Sequence, residues 1–273
     1  MTIDQKKLFD LSFQKLKKVI RNGDLIYVEL NTSKFLKIFK LTKNKDKFAN
    51  FFYELFKKLI GKNGVFVTPS FSYSWGKENK KKIYDKRKTE PKTGILSKYL
   101  LQNKRNEVLR TDDPMFSVLV YGYKNKTYIE NCNDSFGKKS IFEKIYNKNF
   151  KLVSFGIDQF DPTFVHYVEQ YFDQNIHKIY YRKLYKLVGK IITKNKQTKK
   201  SYNVFLRNLK SNRTYSEKNI IRVLRKKKLI KSINLFGARI QVCYAKSFFD
   251  EGIKGMRKNN FFFTSKEEKS NVL

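Results

Sequence analysis

LIYVEL (25–30) and GVFVTP (64–69) are short, apolar, β-prone runs, and between them Phe48, Phe51, Phe52, Leu55, Phe56, Leu59 and Ile60 recur at helical spacing up to Gly61. Strand, helix and strand therefore fit inside 45 residues, the size of a βαβ unit. Upstream, a turn at Asn22-Gly23 follows an amphipathic segment in which Leu8, Phe9, Phe13, Leu16, Val19 and Ile20 form one stripe and Thr2 and Gln5 stand at capping-box spacing. Downstream, the alternation continues with a helix near 94–103, the strand FSVLVYG (116–122), a helix near 139–147, the strand KLVSFGI (151–157) and a helix beginning near Pro162. The pattern predicts a three-layer α/β/α sandwich around a central mixed sheet whose strands run largely parallel.

After residue 177 the texture changes. IHKIYYRKLYKLVGKIITKNK alternates charge with Tyr, Ile, Leu and Val at period two, which predicts an antiparallel, half-exposed hairpin. A helix over 216–228, with Thr214 and Glu217 at capping-box spacing, precedes the strand ARIQVCYA (238–245) and a last helix. Residues 1–176 are thus expected to form an α/β core, 177–263 a more antiparallel portion packed on it as one continuous domain, and 264–273 a frayed tail. The stretch 75–92 has no periodicity and is expected to be a long loop.

The 273 residues carry 60 Lys+Arg against 24 Asp+Glu, a net charge of +36, with 40% hydrophobic and 16% aromatic residues. That much apolar surface excludes a disordered polybasic tail. So high a charge makes nucleic acid the first partner to weigh. The basic residues are 49 Lys and only 11 Arg, and Asn appears 23 times against 3 Ala. This is the bias of A/T-rich codons, and it leaves few of the arginines that read bases bidentately, so a dedicated nucleic-acid role is disfavoured. A small polyanion such as a nucleotide suits the field equally well. No apolar run is long enough for a membrane helix and no signal peptide begins the chain, so a soluble cytoplasmic protein is expected. Cys132 and Cys243 are read as ordinary thiols, and no metal-ligand spacing, P-loop or Gly-rich dinucleotide motif occurs.

In open α/β sheets ligands bind beyond the carboxyl ends of the strands. That rule selects Asn31, Thr32 and Ser33 after the first strand, Ser70 to Trp75 with Tyr73 after the second, and Asp158 to His166 after the fourth. His166 is one of two histidines, and Glu169 follows at i+3 on the same helical face. An imidazole with a carboxylate partner is the usual general base near neutrality. A surface histidine on a helix face is the competing interpretation, and His177, which lacks such company, is read as structural.

Four segments in order resemble the aminoglycoside 3-N-acetyltransferase family, including members that modify amino sugars in bacterial polysaccharide pathways of O-antigen type. They are VFVTPSFSYSW (65–75), YDKRKTEPKTGILSKYL (84–100), LRTDDPMFSVLVYG (109–122) and SFGIDQFDPTFVHYVEQ (154–170), the last resembling the family's Thr-x-x-His-x-x-Glu segment. Two departures stand out: Asp113 where many members have His, and Glu29 to Ser33 in place of a His-Ser-Ser stretch. The resemblance implies direct transfer of acetyl from acetyl-CoA to a sugar amine, without a metal, with His166 as base, Glu169 as its orienting partner and Asp161 as the alternative. It implies that acetyl-CoA meets Asn31, Thr32, Ser33, Ser70, Arg110 and Ser117, and that the substrate meets Tyr73, Trp75, Asp85, Asp113 and Asp158. Arg110 and the lysines of 77–92 are the expected phosphate contacts. Because a +36 chain repels polycations, a nucleotide-linked amino sugar is the expected substrate, with an aminoglycoside as the alternative and nucleic-acid binding as the alternative of another class. A homodimer is compatible with this interpretation.

Overall fold

The structure is a computed structural model that describes residues 2–129, 132–193 and 196–266. In chain order its elements are α1 (Ile3–Leu16), β1 (Leu25–Leu30), α2 (Leu36–Thr42), α3 (Lys45–Ile60), β2 (Val65–Pro69), β3 (Ile83–Asp85), α4 (Ile95–Asn103), β4 (Val108–Arg110), β5 (Val118–Gly122), α5 (Ile141–Asn147), β6 (Lys151–Phe155), α6 (Val165–Asn175), β7 (Arg182–Thr193), β8 (Lys196–Arg207), β9 (Arg213–Tyr215), α7 (Lys218–Lys226), β10 (Lys231–Leu235), β11 (Ala238–Tyr244), α8 (Ala245–Lys258) and β12 (Thr264–Lys266).

The main sheet has seven strands in the order β10-β11-β6-β1-β2-β5-β4. Period-two alternation sends its side chains to two cores. Tyr27, Val65, Val67, Val118, Val120 and Leu152 face the layer of α5 to α8, while Ile26, Val28, Phe66, Leu119, Val153 and Phe155 face that of α1 to α4. The three-layer expectation therefore holds. The largely parallel sheet does not, because β1 pairs in parallel only with β2 and β6 and every other pairing in this sheet is antiparallel. Short connections account for β4–β5 and β10–β11, since antiparallel neighbours need only a tight loop, whereas β2–β5 and β6–β11 bring together strands far apart in the chain. β10 and β11 are joined through Phe236 and Gly237, both at positive φ, as a two-residue primed turn requires.

Local chemistry explains several ends. Thr2 and Gln5 form the expected capping box, Asn44 caps α3 through Asp46 N and Lys47 N, and Gly61 ends α3 at φ +62°. The Thr214–Glu217 box does not form: Thr214 lies in β9, and α7 starts at Lys218 with no side-chain cap. β9 also pairs with β12, so Thr264 to Lys266 are sheet where a fraying tail was expected; the rest of that tail, 267–273, lies outside the described residues. The stretch read as a hairpin is mainly the single strand β7, and its antiparallel partner β8 is the segment that follows, in twelve-residue register from Arg182↔Arg207 to Thr193↔Lys196. The inner edge of β7 takes up β3, a strand inside the stretch read as loop. Trp75, Tyr84, Met115, Ile191, Tyr202 and Val204 fill a third small core beneath it.

Candidate active site

The turn Pro162–Phe164 runs into α6 through i to i+3 bonds, Val165 N to Pro162 O and His166 N to Thr163 O, both 3.0 Å. The regular helix therefore starts three residues after the expected proline. Its first two turns present His166 and Glu169 on one face, as the spacing predicts: His166 Nδ1 lies 2.9 Å from Glu169 Oε2. The same oxygen accepts from Arg182 Nε at 2.7 Å, and Arg182 Nη2 lies 3.3 Å from His166 Nε2. A guanidinium can only donate, so Nε2 is the acceptor and Nδ1 carries the proton donated to Glu169. The basic lone pair of the imidazole is then on Nε2, engaged by the long contact from Arg182. Burial and the adjacent Arg182 hold the His166 pKa below its ordinary value, with Glu169 opposing them. Burial penalises the Glu169 carboxylate, but Arg182 and His166 outweigh it and keep it ionised below the usual range. Phe136 and Tyr215 pack edge-on to the imidazole at 5.3 and 6.1 Å.

A second carboxylate faces the same layer. Tyr27 and Glu29 alternate on β1 toward α6, and Glu29 Oε1 accepts from Tyr27 Oη at 3.0 Å and from Thr163 N at 2.9 Å. The turn that launches His166 is thus fastened to β1 by Glu29. Burial raises the Glu29 carboxyl to about 7, with Asp161 adding to the rise and the bonds from Thr163 and Tyr27 opposing it. Asp161 is itself raised, by burial and by repulsion from Glu217 and Glu169, while the Tyr215 hydroxyl beside it pulls the other way. Glu29, Thr163 and Ile157 line a cavity of about 240 Å³ with Thr68 of β2, Phe71 just beyond it, and Gly94 and Ser97 at the start of α4.

Glu29→Gln keeps both hydrogen bonds, since an amide oxygen accepts as well, and removes the buried charge. The carboxyl titrates near 7 when folded, against an ordinary value of about 4.5. Wild type should therefore lose stability relative to the variant as pH rises from about 4.5 to about 7, by up to about 3 kcal/mol. Thermal unfolding at about pH 5 and pH 8 checks this; an equal difference at both would mean that the carboxyl ionises as freely folded as unfolded.

The other expected site residues scatter. Arg110 is 3% exposed and donates to Ser117 Oγ, Thr89 O and Ser70 O. Ser117 Oγ also donates to Ser70 O. Arg110 and Ser117 thus clamp β4 and β5 to the end of β2, using groups that the resemblance assigned to acetyl-CoA. Ser70 Oγ is buried without a partner. Trp75 is fully buried in the third core, away from the lining of the cavity. Asp113 is buried as well; it receives Met115 N and Phe116 N, and burial lifts its carboxyl to about 6. Asp85 organises a turn by accepting from Arg87 N and Lys88 N. Asp158 is exposed and paired with Lys34 at 3.0 Å. Asn31 Oδ1 takes both the N–H and the hydroxyl of Ser33, so those two donors are in use around Thr32. Tyr73 fits better: it is 37% exposed, and the charge of Glu29 acts on its hydroxyl after burial has raised it. Among the described residues, no group of three or more His, Cys, Asp or Glu could hold a metal ion, and no helix is long and apolar enough to cross a membrane.

Arg182 and Glu29 were not singled out from sequence. A carboxylate two residues after Tyr27 in an apolar strand was the available signal for Glu29; Arg182 had none, being brought in by the hairpin.

A sequence profile described as aminoglycoside 3-N-acetyltransferase matches residues 39–257. The chain belongs to that family. It is accordingly an N-acetyltransferase that draws its acetyl group from acetyl-CoA. Among solved structures it is similar to the YokD protein of Bacillus subtilis, at 16% identity and a TM-score of 0.70, covering 92% of this chain and 94% of that one. It is similar to AAC-IIIb in binary complex with CoASH, at 14% identity and a TM-score of 0.71, covering 92% and 96%. AAC-VIa with sisomicin bound gives 13% identity and a TM-score of 0.72, covering 92% and 97%. These likenesses establish the acetyltransferase fold. No curated protein matches the sequence. The narrower likeness to amino-sugar enzymes of polysaccharide pathways finds no support among the matches.

Proposed function

We propose that the chain acetylates an amine of an aminoglycoside, a polycationic amino sugar, by direct attack on acetyl-CoA, with His166 as general base and Glu169 as its orienting partner. The observation that carries this substrate choice is the carboxylate cluster: Asp161 interacts electrostatically with Glu29, Glu169 and Glu217. A chain of +36 with only 24 acidic residues brings four of them within electrostatic reach through Asp161, and one of the four, Glu169, bonds the histidine. Such a site attracts ammonium groups despite the global field. A nucleotide-linked sugar has less support, because Arg110 lies inside the protein.

The base acts through Nε2. An incoming amine would replace the long contact from Arg182 and pass its proton to Nε2 as the C–N bond forms. Glu169 holds the ring and favours the imidazolium. The thioester oxygen gains negative charge in the tetrahedral intermediate. The first turn of α4 suits it: Gly94 gives no side-chain cap and Ser97 Oγ bonds back to Gly94 O, so main-chain N–H groups at this end of the cavity remain available to an oxyanion.

The test is CoA release with aminoglycosides, simple amino sugars and nucleotide-linked amino sugars side by side. Higher kcat/KM for a nucleotide-linked sugar would overturn the substrate choice. Salt gives a second reading, because the two substrates carry opposite charge. As salt shortens the field to about 8 Å, kcat/KM for acetyl-CoA should fall and that for the aminoglycoside should rise, with kcat nearly constant. A parallel fall for both would mean that the local carboxylates, and not the global charge, govern the approach of the aminoglycoside. Glu169→Gln should lower kcat and move the acidic limb of kcat/KM to lower pH, because the carboxylate opposes the depression of the His166 pKa. A limb that stays in place would make Asp161 the partner.

A further inference from the structure

An aminoglycoside amine reaches a neutral-pH enzyme mostly as an ammonium, and an ammonium has no lone pair with which to attack. His166 removes the proton lost as the C–N bond forms, but one proton must leave before that. The structure offers a second acceptor in the cavity wall. Glu29 points from β1 toward α6, and its Oε1 is held from two sides by Tyr27 Oη and Thr163 N. Through Thr163 it is fixed to the turn whose carbonyl receives His166 N. The Oε1 atom carries the positioning bonds, and Glu29 lines the cavity beside Thr68, Phe71 and Ser97.

We propose that Glu29 is the ammonium subsite of this enzyme, binding the reactive amine in its charged form and accepting its first proton. The proposal rests on the aminoglycoside reading given above. The step is balanced: the N–H bond of R–NH3+ breaks, its proton goes to the Glu29 carboxylate, and R–NH2 keeps the electron pair. Two opposite charges in a buried site are replaced by two neutral groups, so no ion is left unpaired when the amine turns to the thioester. The charged and titratable groups that act on Glu29 are Tyr27 on its own strand, Tyr73 after β2 and Asp161 before α6. Burial among them leaves the carboxyl titrating near 7, close to an aminoglycoside amine, so the transfer is near balance in both directions.

The experiment compares wild type and Glu29→Gln in kcat/KM for the aminoglycoside across pH 6 to 9.5. Wild type, which uses the ionised carboxylate and the ammonium, should give a bell that falls above the pKa of the amine. The variant has to capture amine already deprotonated in solution. It should be about 100-fold slower at pH 7, recover about tenfold per pH unit until the amine has titrated, and show no alkaline fall. KM for acetyl-CoA should stay within about twofold, which separates the role from a general loosening of the cavity. A deficit of constant size at every pH, or none, overturns the proposal while leaving the acetyltransferase reading intact. Wild type that releases no CoA with any aminoglycoside overturns both.

Discussion

His166→Asn should fold like wild type and lose acetyl transfer by a factor of about 10² to 10⁴, the usual contribution of a positioned base. The fold survives because the imidazole is not a core group: its ring is ringed loosely by Phe136 and Tyr215, and its side chain is 19% exposed, against 1% for Glu169. The chemistry does not survive, because the Nε2 lone pair opposite Arg182 is the acceptor to which the geometry leads. His166→Ala should behave alike, with a slightly lower Tm from lost packing. His177→Ala is the control, since His177 is exposed and bonded only through its main chain; its kcat should stay within about threefold of wild type, as surface substitutions usually do. A His166 variant that keeps more than about a tenth of wild-type kcat at neutral pH would remove the histidine from the mechanism.

What was legible in the sequence follows the range of the interactions. His166 and Glu169 were readable because i,i+3 neighbours on a helix meet whatever the tertiary structure does. The layers were readable because each central strand is apolar on both faces. Arg182 was not readable: it is the first residue of a hairpin strand, and only the docking of that hairpin brings its guanidinium to Glu169. Arg110 misled for a related reason. A lone arginine in a polar stretch is ordinarily exposed, and nothing local shows that Ser70 O, Thr89 O and Ser117 Oγ converge on it. Trp75 was placed beside substrate by its position after β2, yet it lies against Gly189 of the hairpin, where a Cβ would stand 2.5 Å from the indole. That packing explains the glycine in the middle of β7 and ties the third core to the antiparallel portion.

The charge was read as a global property, and globally it favours anions. The site reverses that sign locally. Sequence order scatters Glu29 and Glu169 over β1 and α6, and Asp161 and Glu217 over the connections before α6 and α7, and folding collects them. One cation stands in the cluster, and it is the structural centre of the constellation rather than a substrate contact: Arg182 Nε bonds Glu169 Oε2, Nη1 bonds Phe205 O and Nη2 faces His166.

Arg182→Met should accordingly be the most destabilising single change near the site, by about 3 to 5 kcal/mol, because it leaves Glu169 buried with its charge uncompensated. The pH dependence identifies the cause. In wild type the Glu169 carboxyl is held below 4.5, so the ion pair stabilises the fold above that pH and the contribution is lost as the solution is acidified through the depressed value. Without the guanidinium, burial, the largest cause, is opposed only by His166 and Tyr181, so the carboxyl rises and the folded state is then penalised as pH rises above about 4.5. The gap between wild type and Arg182→Met should thus be small near pH 4 and grow to its full size by about pH 7, in urea or thermal unfolding. Adding Glu169→Leu to Arg182→Met removes the stranded charge and should recover most of the loss, giving a large coupling energy in the double-mutant cycle. A deficit in Arg182→Met that is independent of pH and unrelieved by the second substitution would place the cost in the packing of the β7–β8 hairpin, and the charge triad of His166, Glu169 and Arg182 would no longer account for how the base is held.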